Sequence, residues 1–210
     1  MDSRAKILNS ATDVFAEKGK HGTHLDEIAL RAGVNKAMVY YYYSGKENLY
    51  REVLKNVLID IHGRVKEAVN KIDVEDKDVV SAIEKVVRSH FRAFSSRPSY
   101  PKLIFGALVN EPQDILAVMG EIEEKVCPNI SKRGTLSLLE RGISERKLRK
   151  VDIRQTLISI MGMDMIYLIG KPIANSMLNL DIKNEEAFLK KRQDSIVDLL
   201  LYGIVERGRK

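Results

Sequence analysis

Apolar residues recur along this chain at three- and four-residue intervals almost from end to end. No run alternates in the manner of a strand, so the pattern predicts an all-α protein. The first helix is expected over Ser3 to Lys18, where Ile7, Leu8, Ala11, Val14 and Phe15 form one stripe and Gly19 supplies a left-handed stop. A second opens at Thr23, whose hydroxyl and the side chain of Asp26 match a capping pair, and buries Leu25, Ile28, Ala29 and Ala32. Gly33-Val34-Asn35 then offers a tight turn, an apolar plug and a cap for a third helix, Lys36 to Tyr43. Two helices of about eight residues joined by a short glycine turn form the helix-turn-helix pattern.

Beyond it, Ser44 and Glu47 read as a capping box for a long fourth helix, with Leu49, Val53, Leu54, Val57, Leu58, Ile61 and Val65 as its stripe to about Val69. A charged connector, Asp73 to Asp78, leads to a helix through Val79, Ile83, Val86, Val87, Phe91 and Phe94 that stops before Pro98. Pro101 and Pro112 bracket a short helix, Lys102 to Asn110, and another starts near Asp114 and breaks at Pro128. Helix resumes to Arg141 and ends at Gly142. The basic connector Arg146 to Lys150 leads to a very apolar helix from Asp152, interrupted at Gly170 and Pro172, and a last amphipathic helix spans Glu185 to Glu206. This layout divides into a helix-turn-helix domain over residues 1–48 and a second helical domain over 49–210.

Chemistry concentrates on the third helix. At about 100° per residue, Val39 and Tyr43 share the side that packs on the first two helices, while Ala37 and Tyr41 lie opposite. Lys36 and Tyr40 form one flank, Met38 and Tyr42 the other. Tyr40 to Tyr43 are consecutive and cannot all face one core, so at least two are exposed. A small residue lets backbone approach base edges, and tyrosine hydroxyls and a lysine donate to phosphates or purine acceptors. Lys46 sits at the positive end of the fourth helix, where a cation is unfavourable unless an anion faces it, and DNA phosphate is the expected anion. The chain carries 35 Lys and Arg against 29 Asp and Glu among its 210 residues, a net charge of +6 that suits an anionic partner. The excess is not concentrated at the proposed contact, since residues 1–50 carry seven basic and six acidic side chains. Cys127 is the single cysteine, which excludes an internal disulfide framework and fits a reducing compartment. No secretion signal follows Met1, and the apolar stretch Thr156 to Gly170 is too short to span a bilayer, so a soluble cytoplasmic protein without a membrane partner is expected.

The stretch from Arg4 to Leu54 closely resembles the DNA-binding domain of the TetR family of transcriptional regulators. The resemblance is carried by Ile7-Leu8-Asn9-Ser10-Ala11, Val14-Phe15, Gly19, Thr23, Ile28 to Val34, Asn35 to Tyr43 and Gly45-Lys46-Glu47-Asn48-Leu49. It implies that Thr23 to Ala32 is the supporting helix and Lys36 to Tyr42 the recognition helix. Tyr40, Tyr42 and Lys46 would then contact the DNA backbone, with Lys36, Ala37, Met38 and Tyr41 nearest base edges and Thr23 and His24 at the start of the supporting helix. Tyr43 stands where the family usually has phenylalanine, Tyr42 where histidine is common, and His24 near a position where a hydroxyl residue is frequent. The remainder matches only as a helical layout, which the resemblance assigns to ligand binding and dimerisation.

Met161, Gly162, Met163, Met165 and Gly170, with the last helix, suit a homodimer interface, and the resemblance points to the same two helices pairing with their symmetry mates. A pocket for a small apolar or amphipathic effector would lie between the middle helices, lined by His90, Phe91, Phe94, Tyr100, Leu103, Phe105, Leu108, Met119 and Ile122. His21 and His24 lack a third ligand nearby, so no metal is expected, and no cofactor either. No nucleophile-base order, phosphate loop or Glu-x-x-His motif supports catalysis. The expected function is a ligand-responsive regulator, a repressor released by its effector, that binds a palindromic DNA operator as a homodimer. The rivals are a helical nucleic-acid-binding protein without an effector and an all-helical enzyme.

Overall fold

A computed structural model describes residues 2–70, 78–125, 135–180 and 184–205. Among these residues the chain forms ten α-helices and one isolated antiparallel bridge, Leu148 to Val205. They group into two compact units, Met1–Asp60 with Ser96–Pro128, and Ile61–Ser95 with Asn129–Lys210. The expected boundary at residue 48 therefore does not coincide with a boundary of packing. The reason lies in α1 (Ser3–Gly22), which is covered by α6 (Ser99–Asn110) as well as by α2 (Leu25–Ala32).

In the first unit, Ile7, Ala11, Val14 and Phe15 of α1 are buried, as are Ile28 of α2, Val39 of α3 (Lys36–Tyr43) and Leu49 and Val53 of α4 (Lys46–Asn70). The Phe15 ring meets the Tyr50 ring edge-on, with centroids 4.9 Å apart. Each such side chain withdrawn from water contributes roughly 1.5–3 kcal/mol, which is why the stripe decides where α1 sits. The helical run of α1 is broken at Gly19, whose φ of 69° suits only glycine, and the chain then turns so that Lys20 points inward. Gly33 closes α2 in the left-handed conformation, and its N–H donates to the carbonyls of Ala29 and Leu30. Asn35 caps α3 by accepting from the Met38 N–H at 2.9 Å.

Two expected caps are different. Thr23 does not cap α2: its hydroxyl donates back to the Gly19 carbonyl at 2.7 Å, and His24 holds the cap position without a side-chain bond. Ser44 does not open α4. It ends α3 in a left-handed conformation, with its N–H on the Tyr40 carbonyl at 2.8 Å, and α4 starts at Lys46. A two-residue turn between α3 and α4 consumes the serine that a capping box would need.

The second unit packs α5 (Val79–Ser95) against α8 (Thr135–Ser144), α9 (Ile153–Met177) and α10 (Glu185–Ile204). Ile83, Val86, Val87, Phe91, Leu139, Ile160 and Ile196 form its core, and the Gln193 amide donates to the Arg88 carbonyl at 2.6 Å. Gly142 does not end α8, which runs on to Ser144; a Cβ there would lie 2.7 Å from Leu148 Cγ and Cδ1, so the glycine makes room for that buried leucine. Asp152 caps α9 by accepting from the N–H groups of Arg154 and Gln155. The expected interruption at Gly170 and Pro172 is absent: α9 continues through both, reaching a length and composition sufficient for a membrane span, with Asp164 at its centre. Length and composition alone do not make it a convincing span, since Asp164 in its middle is fully buried within the second unit. The first unit also holds α7 (Pro112–Lys125). Pro128, Cys127, the connector from Asp73 to Lys77 and Glu206 lie outside the described residues.

Candidate nucleic-acid interface

The two short helices and the turn between them hold α3 with one face buried and the other open. Val39 and Tyr43 are buried, and the Tyr43 hydroxyl donates to the Arg4 carbonyl at 2.8 Å, which supplies the partner that a tyrosine in place of phenylalanine requires. Lys36, Ala37, Tyr40 and Tyr41 are exposed, Tyr41 at 82%, and Met38 and Tyr42 are half-buried. The Tyr41 and Tyr42 rings meet edge-on with centroids 5.1 Å apart, which fixes their relative directions. Lys36 pairs with Asp26 at 2.9 Å across the turn, and that hydrogen bond raises its pKa above the ordinary lysine value. A phosphate arriving here competes with a solvent-exposed carboxylate, which yields at little cost.

The remaining expected contacts divide. His24 is exposed. Thr23 is 1% exposed and its hydroxyl is committed to Gly19, so its side chain supports the loop instead of facing outward. Lys46 is half-buried and its ammonium donates to the Thr23 carbonyl at 3.2 Å. The lysine at the positive helix end thus has a dipolar partner within the fold, and an external anion is not required to explain its position.

Several charges that organise the interface have partners too distant in sequence to be anticipated. Arg31 forks onto Glu17 at 2.6 and 2.9 Å and reaches Glu27 at 3.0 Å, while Lys18 bonds Glu27 at 2.6 Å, so α1 and α2 are clamped by one network. Arg31 holds the Glu17 carboxyl below its ordinary range, and Lys18 does the same for Glu27. Lys20 sits in a second cluster. It bonds Asp114 at 2.7 Å and Glu47 at 2.5 Å, and Arg51 bonds Asp114 at 3.0 Å. Burial opposes the charge on Lys20, but the bonds to Asp114 and Glu47 together prevail and raise its pKa. The bond from Lys20 holds the Asp114 carboxyl below its ordinary value against burial. The Tyr50 hydroxyl donates to Glu111 at 3.2 Å. The start of α7 is thereby tied to the end of α1 and the start of α4.

The nine residues expected to line an effector pocket fall in both units. His90, Phe91 and Phe94 are on α5 in the second, with the His90 and Phe94 rings 6.1 Å apart. His90 Nδ1 is buried without a hydrogen-bond partner among the described residues, and burial, with His62 nearby, pushes its pKa down. The other six are in the first: Tyr100, Leu103 and Ile122 are buried, while Phe105, Leu108 and Met119 are exposed on α6 and α7. The Tyr100 hydroxyl, a candidate polar handle, donates to Asp60 at 3.0 Å. One polar group in the second unit went unanticipated. Asp164 is fully buried, neither carboxylate oxygen has a hydrogen-bond partner among the described residues, and burial, opposed by Arg192 of α10, pushes its pKa up to about 7.

A glycine-turned pair of short helices with an open face of tyrosines, lysine and alanine defines a helix-turn-helix DNA-binding protein. Residues 7–53 match the sequence model of the bacterial regulatory proteins of the tetR family. The HTH-type transcriptional regulator RutR of Escherichia coli K12 is 26% identical over 202 residues, covering 96% of this chain and 90% of RutR. IcaR of Staphylococcus epidermidis, a negative transcriptional regulator of a biofilm operon, is 43% identical over 51 residues, covering 24% of this chain and 28% of IcaR. Among solved structures, the transcriptional regulator FadR of Bacillus subtilis in complex with stearoyl-CoA shares the fold, with a TM-score of 0.70 and 20% identity over 95% of this chain and 98% of that one. Over residues 7–53 the chain is therefore similar to the DNA-binding region of the TetR family of transcriptional regulators, and over nearly its whole length to the transcriptional regulator RutR.

Proposed function

We propose that this regulator is a homodimeric repressor that binds a palindromic operator through α3 and releases it when a small apolar or amphipathic effector binds the second helical domain. The observation that carries the reading is the open face of α3: Lys36, Ala37, Tyr40 and Tyr41 are exposed on a helix whose other face is locked by Val39 and Tyr43. Ala37 and Tyr41 face base edges, and Tyr40, Tyr42 and Lys46 take the flanking phosphates. Exposed apolar side chains on α9 and α10, among them Ile158, Ile166, Ile173 and Leu199, suit an isologous contact between two copies. Such a dimer would set two α3 helices roughly 34–36 Å apart on successive major grooves. The negative regulation named for IcaR supports repression, and the acyl-CoA bound to FadR supports an amphipathic effector. Release requires a coupling of only about 1–3 kcal/mol between the two sites.

The test is a gel shift with the region upstream of the gene, followed by titration of Tyr41→Ala and Lys46→Ala across a salt series. Tyr41→Ala should lose discrimination between the upstream region and unrelated DNA. Lys46→Ala should weaken binding to every sequence and reduce the slope of log K against log salt by about one. Native affinity and slope in both variants would refute the assignment of α3 and the α4 terminus to DNA.

A further inference from the structure

A cleft of about 350 Å³ opens beside the end of α3, lined by Arg4 of α1, Tyr42 and Ser44 at the end of α3, and Asn48, Arg51 and Glu52 of α4, with Val118 and the Glu121 carboxylate of α7 closing it. None of these except Tyr42 belongs to the contacts already assigned. The cleft is rich in donors: a guanidinium fork, two hydroxyls and an amide converge on one opening, next to the helix whose Tyr41 is the most exposed of the four tyrosines.

Its cations are not equivalent. Arg51 is held by Asp114 at 3.0 Å, and Lys55, which also lines the cleft, is held by Glu121 at the same distance. Arg4 stands apart. Its guanidinium is 3.9 Å from the Glu52 carboxylate, beyond hydrogen-bond reach, with both side chains about half exposed, and it lies 5.8 Å from the centre of the Tyr43 ring. The Arg4 backbone, by contrast, is fixed, because its carbonyl accepts the Tyr43 hydroxyl from the last turn of α3. A loosely paired fork is therefore anchored at its base to the helix that faces DNA. A planar guanidinium can take a phosphate with two parallel donors, and the only carboxylate paired with it among the described residues stands too far off to occupy that fork.

We propose that this cleft seats a DNA backbone phosphate flanking the bases read by α3, with Arg4 as its cation and Tyr42, Ser44 and Asn48 as hydrogen-bond donors. Glu52 is a weak competitor: at 3.9 Å it attracts Arg4 without a hydrogen bond and gives way to the more highly charged strand. The inference rests on α3 being the DNA-facing helix, and it adds a contact from α1 that makes the end of that helix part of the footprint.

The experiment uses the full chain and a duplex of roughly 30 base pairs from the gene's upstream region, with affinity read by fluorescence anisotropy over a salt series. Arg4→Ala should weaken binding roughly five- to tenfold and lower the salt slope by about 0.9, while Arg4→Lys should keep the slope. Thermal melts of both variants check the fold. A second measurement alters the DNA instead of the protein: neutral methylphosphonates are scanned across the flanking phosphates. The native chain should lose affinity at one position, and Arg4→Ala should be indifferent there. Native affinity and slope in Arg4→Ala, alongside weakened binding by Tyr41→Ala, would overturn the Arg4 contact alone. Silence of both variants would overturn the DNA-facing assignment of α3 as well, and a methylphosphonate scan without a sensitive flanking position would overturn the cleft as a phosphate seat.

Discussion

Replacing Asp164 tests how the second unit tolerates a carboxyl with no hydrogen bond in its interior. Burial pushes its pKa from the ordinary 3.8 up to about 7, and Arg192 counteracts only part of that. The folded state therefore holds a proton on this group that the unfolded chain releases above pH 4. Because the native state binds the extra proton, stability falls as pH rises, from the unfolded value up to the folded one, and levels off above about pH 7. Between pH 5 and pH 7 two decades at 1.36 kcal/mol each give a loss of about 2–3 kcal/mol. Asp164→Asn and Asp164→Leu remove the titration. Urea denaturation at fixed protein concentration, at each pH from 5 to 8, should show the native curve falling relative to both variants, with the divergence complete by about pH 7. Parallel native and variant curves across that range would refute the assignment of a buried, unpaired carboxyl, and would mean that Asp164 finds a partner in solution.

Asp114→Asn leaves Lys20 and Arg51 without their shared carboxylate and should cost about 2–4 kcal/mol by chemical denaturation. Because its folded pKa is lowered, the stability Asp114 contributes is present above its ordinary value and lost as pH falls through the lowered one, so the variant should lose part of the native acid dependence below pH 4. Gly142→Ala places a methyl 2.7 Å from the buried Leu148 side chain and should lower stability by about 1–3 kcal/mol, read from a melt of the intact chain.

The helix-turn-helix was legible because its signals are local. Asn35, Gly33 and the Val39–Tyr43 spacing act within a few residues of each other, and each does in the structure what its pattern predicts. Ser44 and Thr23 misled for the same reason: serine or threonine followed three residues later by an acid satisfies a capping pattern. The chain instead spends the Ser44 backbone on the α3 terminus and the Thr23 hydroxyl on Gly19. Pro172 reads as a breaker, yet α9 runs through it, as packed helices permit. The bonds from Lys20 and Arg51 to Asp114 join residues 94 and 63 positions apart, and no spacing rule brings such pairs together. The burial of Asp164 is equally invisible, since an aspartate in an apolar helix looks like an interruption of a stripe until its neighbours are placed.

The covering of α1 by α6 has a consequence for how the protein is made. The first sixty residues leave the ribosome with one flank of their leading helix still open, and the segment that closes it follows only after α5 has been synthesised. The reading head is thus completed late, by residues translated well after its own, and a fragment cut after the third helix would carry an unsheltered apolar flank into water.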